Sequence, residues 1–168
     1  MAKASASEKT LQDLFLDTLK DVYHAEKQIL RGLTKMAKAA ESDDLRQAFE
    51  HHREETDQQV QRLEQVFEIV GKRAQGKPCE AMQGLIEEGK EIMDEFKGSP
   101  ALDSGLISSA QAIEHYEMAR YGTLINWANE LGMKDAARLL QETLEEEKKA
   151  DALLTKLAES AVNQKAAA

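Results

Sequence analysis

A single cysteine, Cys79, rules out any disulfide within the chain. Proline occurs only at Pro78 and Pro100, so the long segments outside that stretch escape the residue that breaks helices most severely. Glycine is sparse, and aromatic residues make up 5% of the 168 positions. That leaves little of the aromatic and β-branched material that fills strands. No apolar run reaches the ~20 residues of a membrane span, and Met1 to Thr10 is polar, without the apolar core of a secretory signal. With one thiol and no such segment, cytoplasmic residence is the expectation. Basic residues are outnumbered, 22 against 31 acids for a net charge of −9, which argues against a nucleic-acid or anionic-membrane partner. What is abundant is Glu, Gln, Lys, Ala and Leu, the vocabulary of helices. The length suits one domain, expected over residues 8–161 between a disordered tail at 1–7 and a frayed tail at 162–168.

Apolar residues recur at steps of three and four along four long stretches, each marking one face of a helix. The first stretch, about Ser7 to Ala40 with Ser7 as its cap, reads Phe15, Leu19, Val22, Glu26, Ile29, Leu33, Met36. The second, capped by Ser42 or Asp43 and ended by Gly71, reads Leu45, Ala48, His52, Glu55, Gln59, Leu63, Val66, Val70. A connection through residues 71–100 carries a shorter helix, about Cys79 to Phe96. The third long helix, Ala101 to Leu131, reads Ile107, Ala110, Glu114, Glu117, Tyr121, Leu124, Ala128 and stops at Gly132. The fourth, Lys134 to Ala161, reads Ala136, Leu140, Leu144, Glu147, Asp151, Leu154, Ala158. A neighbouring line through Glu146 is almost as apolar, so the preference for Glu147 is slight. The pattern predicts an all-α, antiparallel four-helix bundle with a long crossover between its second and third long helices. If those two are parallel neighbours, a crossover of this length is needed to return the chain along the bundle.

Each apolar stripe is interrupted in its middle by acid. Glu26 precedes the first turn at Glu41 by fifteen residues and Glu55 follows it by fourteen; Glu117 and Glu147 lie fifteen residues either side of Gly132. In antiparallel pairs those offsets put the carboxylates at one height, ~22 Å from the turns. One glutamate on an apolar stripe is ordinarily a surface residue out of phase or a group with a basic partner. Four at one level, with no Lys or Arg on the stripes, call for protons or a cation. Carboxylate and imidazole donors in a bundle core suit iron or manganese. Glu114 and Glu117, three apart, face one way. Glu55 and Glu114 are then candidate bridges, and Glu26 and Glu147 candidate end ligands. His52 could add a nitrogen or be a core histidine bonded to a neighbouring helix. His24, His51 and His115 flank the stripes. Tyr23 and Tyr121 lie at the same height, to fill space or to bond a carboxylate.

The segment Glu114-His-Tyr-Glu-Met-Ala-Arg-Tyr-Gly-Thr-Leu, followed by Ala128-Asn-Glu-Leu-Gly, resembles the third-helix signature of ferritin-like dimetal proteins, rubrerythrins above all. The chain as a whole, over about residues 8–160, resembles the YciE/YciF-type ferritin-like stress proteins. That resemblance is carried also by Tyr23-His-Ala-Glu-Lys-Gln, His52-Arg-Glu-Glu-Thr, Cys79-Glu-Ala-Met-Gln-Gly-Leu-Ile-Glu-Glu and Leu144-Glu-Glu-Glu-Lys. It implies a ferritin-like bundle, a homodimer, and two metal ions, iron first with manganese or zinc as alternatives. Glu26, Glu55, Glu114, Glu117 and Glu147 match glutamate ligands of rubrerythrin-like sites. The superfamily's Glu-x-x-His pattern in helices two and four is not kept: Gln58 and Ala150 stand at the histidine positions, leaving His52 and Asp151 as replacements. The Cys-rich rubredoxin-like electron-entry domain has no counterpart.

Two functions follow. One is a dimetal-carboxylate stress-response protein, reacting with dioxygen or hydrogen peroxide or handling iron. The other is a non-enzymatic dimeric structural or interaction protein whose metal site is vestigial or absent. A mini-ferritin that stores iron or coats DNA fits less well, since the carboxylates gather within one subunit.

Overall fold

The computed structural model describes residues 8–168, so the expected cap Ser7 and the rest of the 1–7 tail lie outside the described residues. Helix α1 spans Leu11–Ala39. Its cap is Thr10: the Thr10 side chain accepts from the Asp13 N–H, and the Asp13 carboxylate accepts from the Thr10 N–H, a reciprocal pair that satisfies two of the helix's free donors. Helix α2 spans Asp43–Ile69 behind a Ser42 cap. Helix α3, Glu80–Glu95, lies in the crossover, and α4 and α5 span Leu102–Glu130 and Lys134–Leu157. Gly71 and Gly132 end α2 and α4 in the left-handed conformation, with φ of 66° and 72°. In each case two N–H groups bond back across the turn, Lys72 to Phe67 O and Met133 to Ala128 O being the longer closures.

The helices form a ring in which α1 touches α2 and α4, and α5 touches the same two. Helices α2 and α4 thus run parallel, as the crossover requires, but across a diagonal rather than side by side. Helix α3 covers the seam between α1 and α4. Helix α4 is therefore enclosed by α1, α3 and α5, and it buries Leu106, Ser109 and Ile113 beyond its expected stripe. The α3–α4 approach is close enough that a Cβ on Gly105 would stand 2.6 Å from Ile92 Cγ2.

Hydrogen bonds hold the crossover down. The Cys79 N–H donates to His24 Nδ1 at 3.1 Å, and the Lys77 N–H donates to Lys20 O at 3.0 Å. Tyr116 donates its hydroxyl to Asp21 at 2.5 Å. The Cys79 thiol, 3.1 Å from the same oxygen, is left to donate to Tyr116. The thiol itself caps α3 by accepting from the Met82 N–H.

The region beyond Ala161, expected to fray, stays helical. A π-helical turn over Ala158–Val162 leads into a last short helix, Asn163–Ala167. The extra residue in that turn buries Val162 and brings Asn163 to Ser104, whose hydroxyl donates to it at 2.8 Å.

The core has two apolar bodies. One, toward the α1–α2 turn, includes Ile29, Leu33, Leu45, Phe49, Met82 and Leu106; the other, toward the α4–α5 turn, includes Phe15, Leu19, Leu63, Phe67, Leu124 and Leu140. At the first end Asp103, buried at the start of α4, accepts from the N–H groups of Glu41 and Ser42 at 2.9 and 2.8 Å. These bonds fasten the α1–α2 turn to α4. Asp103→Ala should cost about 2–3 kcal/mol and Asp103→Asn about half of that, because charge-assisted bonds are lost in full or in part. The midpoint of urea unfolding checks both.

Candidate metal centre

The layer between the two apolar bodies is polar. Glu26 comes from α1, His52 from α2, Glu114 and Glu117 from α4 and Glu147 from α5, and none is more than 5% exposed. One donor atom from each of His52, Glu114, Glu117 and Glu147 lies within 4.8 Å of the others. His52 Nε2 stands 3.1 Å from Glu114 Oε1 and 3.3 Å from Glu147 Oε2, near enough for attraction but aligned with neither as a hydrogen bond. Six carboxyl oxygens of the layer have no N–H or hydroxyl donor: Glu26 Oε2, Glu114 Oε2, and both oxygens of Glu117 and of Glu147. Such groups cost folding energy unless something else satisfies them.

Protonation is one relief. Burial pushes Glu26 up to about 7, against the lowering effect of Tyr121, whose hydroxyl donates to its Oε1. Burial, then repulsion from Glu147 and Glu26, raises Glu117 well above the carboxylate range. Burial and the Glu114 charge raise Glu147 in the same way. For His52, burial opposes the charged form, but Glu114, Glu55 and Glu147 outweigh it and hold the imidazolium well above the usual range. A divalent cation is the other relief. Ligand atoms on opposite sides of such an ion stand about 4.0–4.4 Å apart, so a 4.8 Å group needs only slight closure to hold one. Orphaned oxygens pointing inward and an imidazole nitrogen without an aligned partner fit that use.

Other acids and histidines named from the sequence lie elsewhere. Glu55 is outside this group, on the outer flank of His52: its Oε2 is 3.3 Å from His52 Nδ1, its Oε1 3.4 Å from His51 Nε2, and its side chain is 25% exposed. The step of three from His52 places it a turn further round α2, toward solvent. Asp151, partly exposed, accepts from Gln111 Nε2 at 3.1 Å and lies 3.3 Å from His115. Lying one turn beyond Glu147, it meets α4 at the surface. His51 and His115 are exposed, and His24 anchors the crossover. Tyr23 reaches Glu64 at 2.8 Å and leaves the site to Tyr121.

Glu146 and Glu147 separate cleanly. Glu147 enters the layer, whereas Glu146 receives two bonds of 2.6 Å from the Arg62 guanidinium and one of 3.0 Å from Gln59. Arg62 and Gln59 thus form a polar clasp between α2 and α5 beside the site. The sequence carried one signal of it: Arg62 follows Gln59 by three residues, on the edge of the α2 stripe. Thr56 is also fully buried, donating to His52 O at 2.8 Å; a side chain spent on its own helix leaves no trace in the apolar pattern.

The chain is similar along most of its length to known proteins. Protein YciF of Escherichia coli (strain K12) is 47% identical over 159 residues, covering 94% of this chain and 96% of that protein. The crystal structure of the E. coli stress protein YciF superposes with a TM-score of 0.88 at 46% identity, over 93% of this chain and 99% of the other. YcfI of Rhodopseudomonas palustris, provisionally described as a structural protein, gives 0.85 at 45% identity over 91% and 98%. A Xanthomonas campestris pv. campestris protein at 22% identity, TM-score 0.72 over 92% and 94%, shares the fold. The family described as a domain of unknown function, DUF892, matches residues 10–167. The match spans every long helix and both apolar bodies, and the chain belongs to the DUF892 family.

Proposed function

We propose that this chain is a metal-binding stress-response protein whose centre lies in the polar layer, with His52, Glu114, Glu117 and Glu147 as the ligands of one ion. A second ion would draw on Glu26, the remaining buried acid of the layer, and on Glu117 beside it. The observation that carries the reading is the set of buried carboxyl oxygens without donors, gathered around one imidazole. An oxygen-rich set with a single nitrogen favours iron or manganese, with zinc next. Such an ion, when bound, would supply redox or Lewis-acid chemistry. The residues contribute position: Tyr121 orients Glu26 by its hydrogen bond, Thr56 ties down the α2 turn that carries His52, and the two apolar bodies exclude water from above and below. The stress role follows the description of the E. coli relative. The structural reading, suggested by the R. palustris relative, expects a metal-free protein unaffected by chelators.

Adjacent substitutions on α5 separate these readings. Glu147→Ala should abolish stoichiometric uptake of Fe(II) or Mn(II), measured by elemental analysis after gel filtration. Glu146→Ala should keep the metal and lose about 1 kcal/mol of stability with the Arg62 clasp. Equal metal content in the wild type and Glu147→Ala would remove the proposal.

Glu117→Gln should act in opposite directions on fold and site. The metal-free protein should gain about 1–3 kcal/mol at pH 8, because a neutral amide replaces a buried acid held among like charges. Metal affinity should fall at least tenfold. Denaturant titrations with and without Mn(II) check both arms.

The pH dependence has a definite sign. Above the ordinary carboxylate value of 4.5, the folded protein keeps protons on Glu26, Glu117 and Glu147 that the unfolded chain has released. Its stability therefore falls as pH rises through that window. His52 acts in the same direction: its contribution is full below 6.5 and is lost as pH climbs through the higher folded value. Metal-free protein should lose on the order of 2–3 kcal/mol from Glu26 alone between about pH 5 and pH 8. The stabilisation gained on adding Mn(II) should grow over the same range, since the ion replaces protons. Thermal melts at several pH values, with chelator and with metal, measure both slopes.

A further inference from the structure

A cavity of about 170 Å³ lies between α2 and α5 and reaches the polar layer from outside. Its walls are hydrocarbon: Ala48 and Phe49 on α2 face Ala150 and Leu154 on α5. Its floor is His52 and Glu114, two members of the candidate centre, each with a buried polar atom lacking a hydrogen-bond partner. The mouth lies among exposed His51, Lys149 and Leu153, with partly exposed Glu55 beside them. The space exists because two alanines oppose one another. Ala48 is one turn before His52 and Ala150 one turn after Glu147, positions where larger side chains would close the gap between the helices.

We propose that this cavity is a binding pocket for a compact apolar organic molecule with a single terminal oxygen function, its hydrocarbon body between the alanines and its oxygen toward the His52–Glu114 end. The inference deepens the metal-centre reading by naming a substrate class. It rests on that reading for the fate of the bound molecule, not for its binding. Size, lining and rim point the same way. The volume is close to the ~150 Å³ of apolar cavities that take up a benzene ring, and far above the ~30 Å³ share of a water molecule, so a diatomic or peroxide oxidant alone leaves most of it unused. A hydrated cation entering here would give up its water against Phe49 and Leu154, a costly exchange. The rim carries both signs, Lys149 against Glu55, so it does not select an ionic tail. An apolar body with one polar end satisfies both the walls and the floor.

The test uses the full chain, freed of metal, titrated with benzyl alcohol and followed by methyl NMR. Saturable shifts at Ala48, Ala150 and Leu154 are expected, with a Kd in the millimolar range typical of so small a ligand, ~1 mM. Ala150→Phe should weaken binding at least ~10-fold by filling the pocket, and Ala48→Leu should do so from the opposite wall. Glycerol, of similar size but polar throughout, should not bind. No saturable binding by the wild type, equal binding of glycerol, or unchanged affinity in whichever of the two variants keeps the native methyl spectrum would overturn the pocket. Metal uptake measured on the same samples separates the two readings. Protein that binds benzyl alcohol but takes up no metal keeps the pocket and loses the centre, and the reverse result loses the pocket alone.

Discussion

Burying carboxyl groups with almost no positive charge beside them is the constraint around which this bundle is organised. Glu26, Glu114, Glu117 and Glu147 share an interior layer whose basic member is His52. In a medium that screens poorly, each ionised carboxylate raises the cost of the next. The layer is tolerable only with protons or cations in it, and its position is held by apolar bodies above and below. A bundle built for stability alone would place leucine there. The energy given up in the middle is recovered at the ends, where Phe15, Leu19, Phe49 and Leu106 are buried almost completely.

Each structural device nearby serves to keep that layer in register. The crossover lets α2 and α4 run parallel across the diagonal, so that four different helices can each send a side chain inward at one level. Asp103 fixes the α1–α2 turn against α4. On the other flank, the Arg62–Glu146 pair ties α2 to α5 and removes from the layer an acid that would otherwise compete with Glu147. The same pair of helices parts at Ala48, fourteen residues before Arg62, and at Ala150, four after Glu146. Tight and open contact between α2 and α5 thus occur at different levels of the same two helices.

The fold was legible because long helices with one apolar stripe leave a strong periodic trace, and because Gly71 and Gly132 mark ends that only left-handed backbone supplies. The burial of Glu26, Glu114, Glu117 and Glu147 was legible for a related reason, as acids in phase with an apolar stripe. Periodicity could not resolve angles much finer than a residue step. It left Glu146 and Glu147 nearly equivalent, and it grouped Glu55 and Asp151 with the stripe although both turn toward the surface and find partners there. The start of α1 is fixed at Thr10 by its reciprocal bond with Asp13, a local pairing that the apolar stripe does not record. The helical end beyond Ala161 was hidden because one inserted residue shifts the phase on which a stripe depends. The cavity left no signal beyond two alanines, which read equally well as ordinary helix formers.

The arrangement around Cys79 has a consequence for observing the molecule. Its sulfur is buried at the head of α3 and donates to Tyr116, while burial raises its pKa and keeps it in the unreactive thiol form. A reagent can therefore reach it only when the α3 segment lifts from α1 and α4. With no second thiol in the chain to blur the signal, alkylation rate becomes a clock for the breathing of the crossover, read separately from global unfolding without introducing a label.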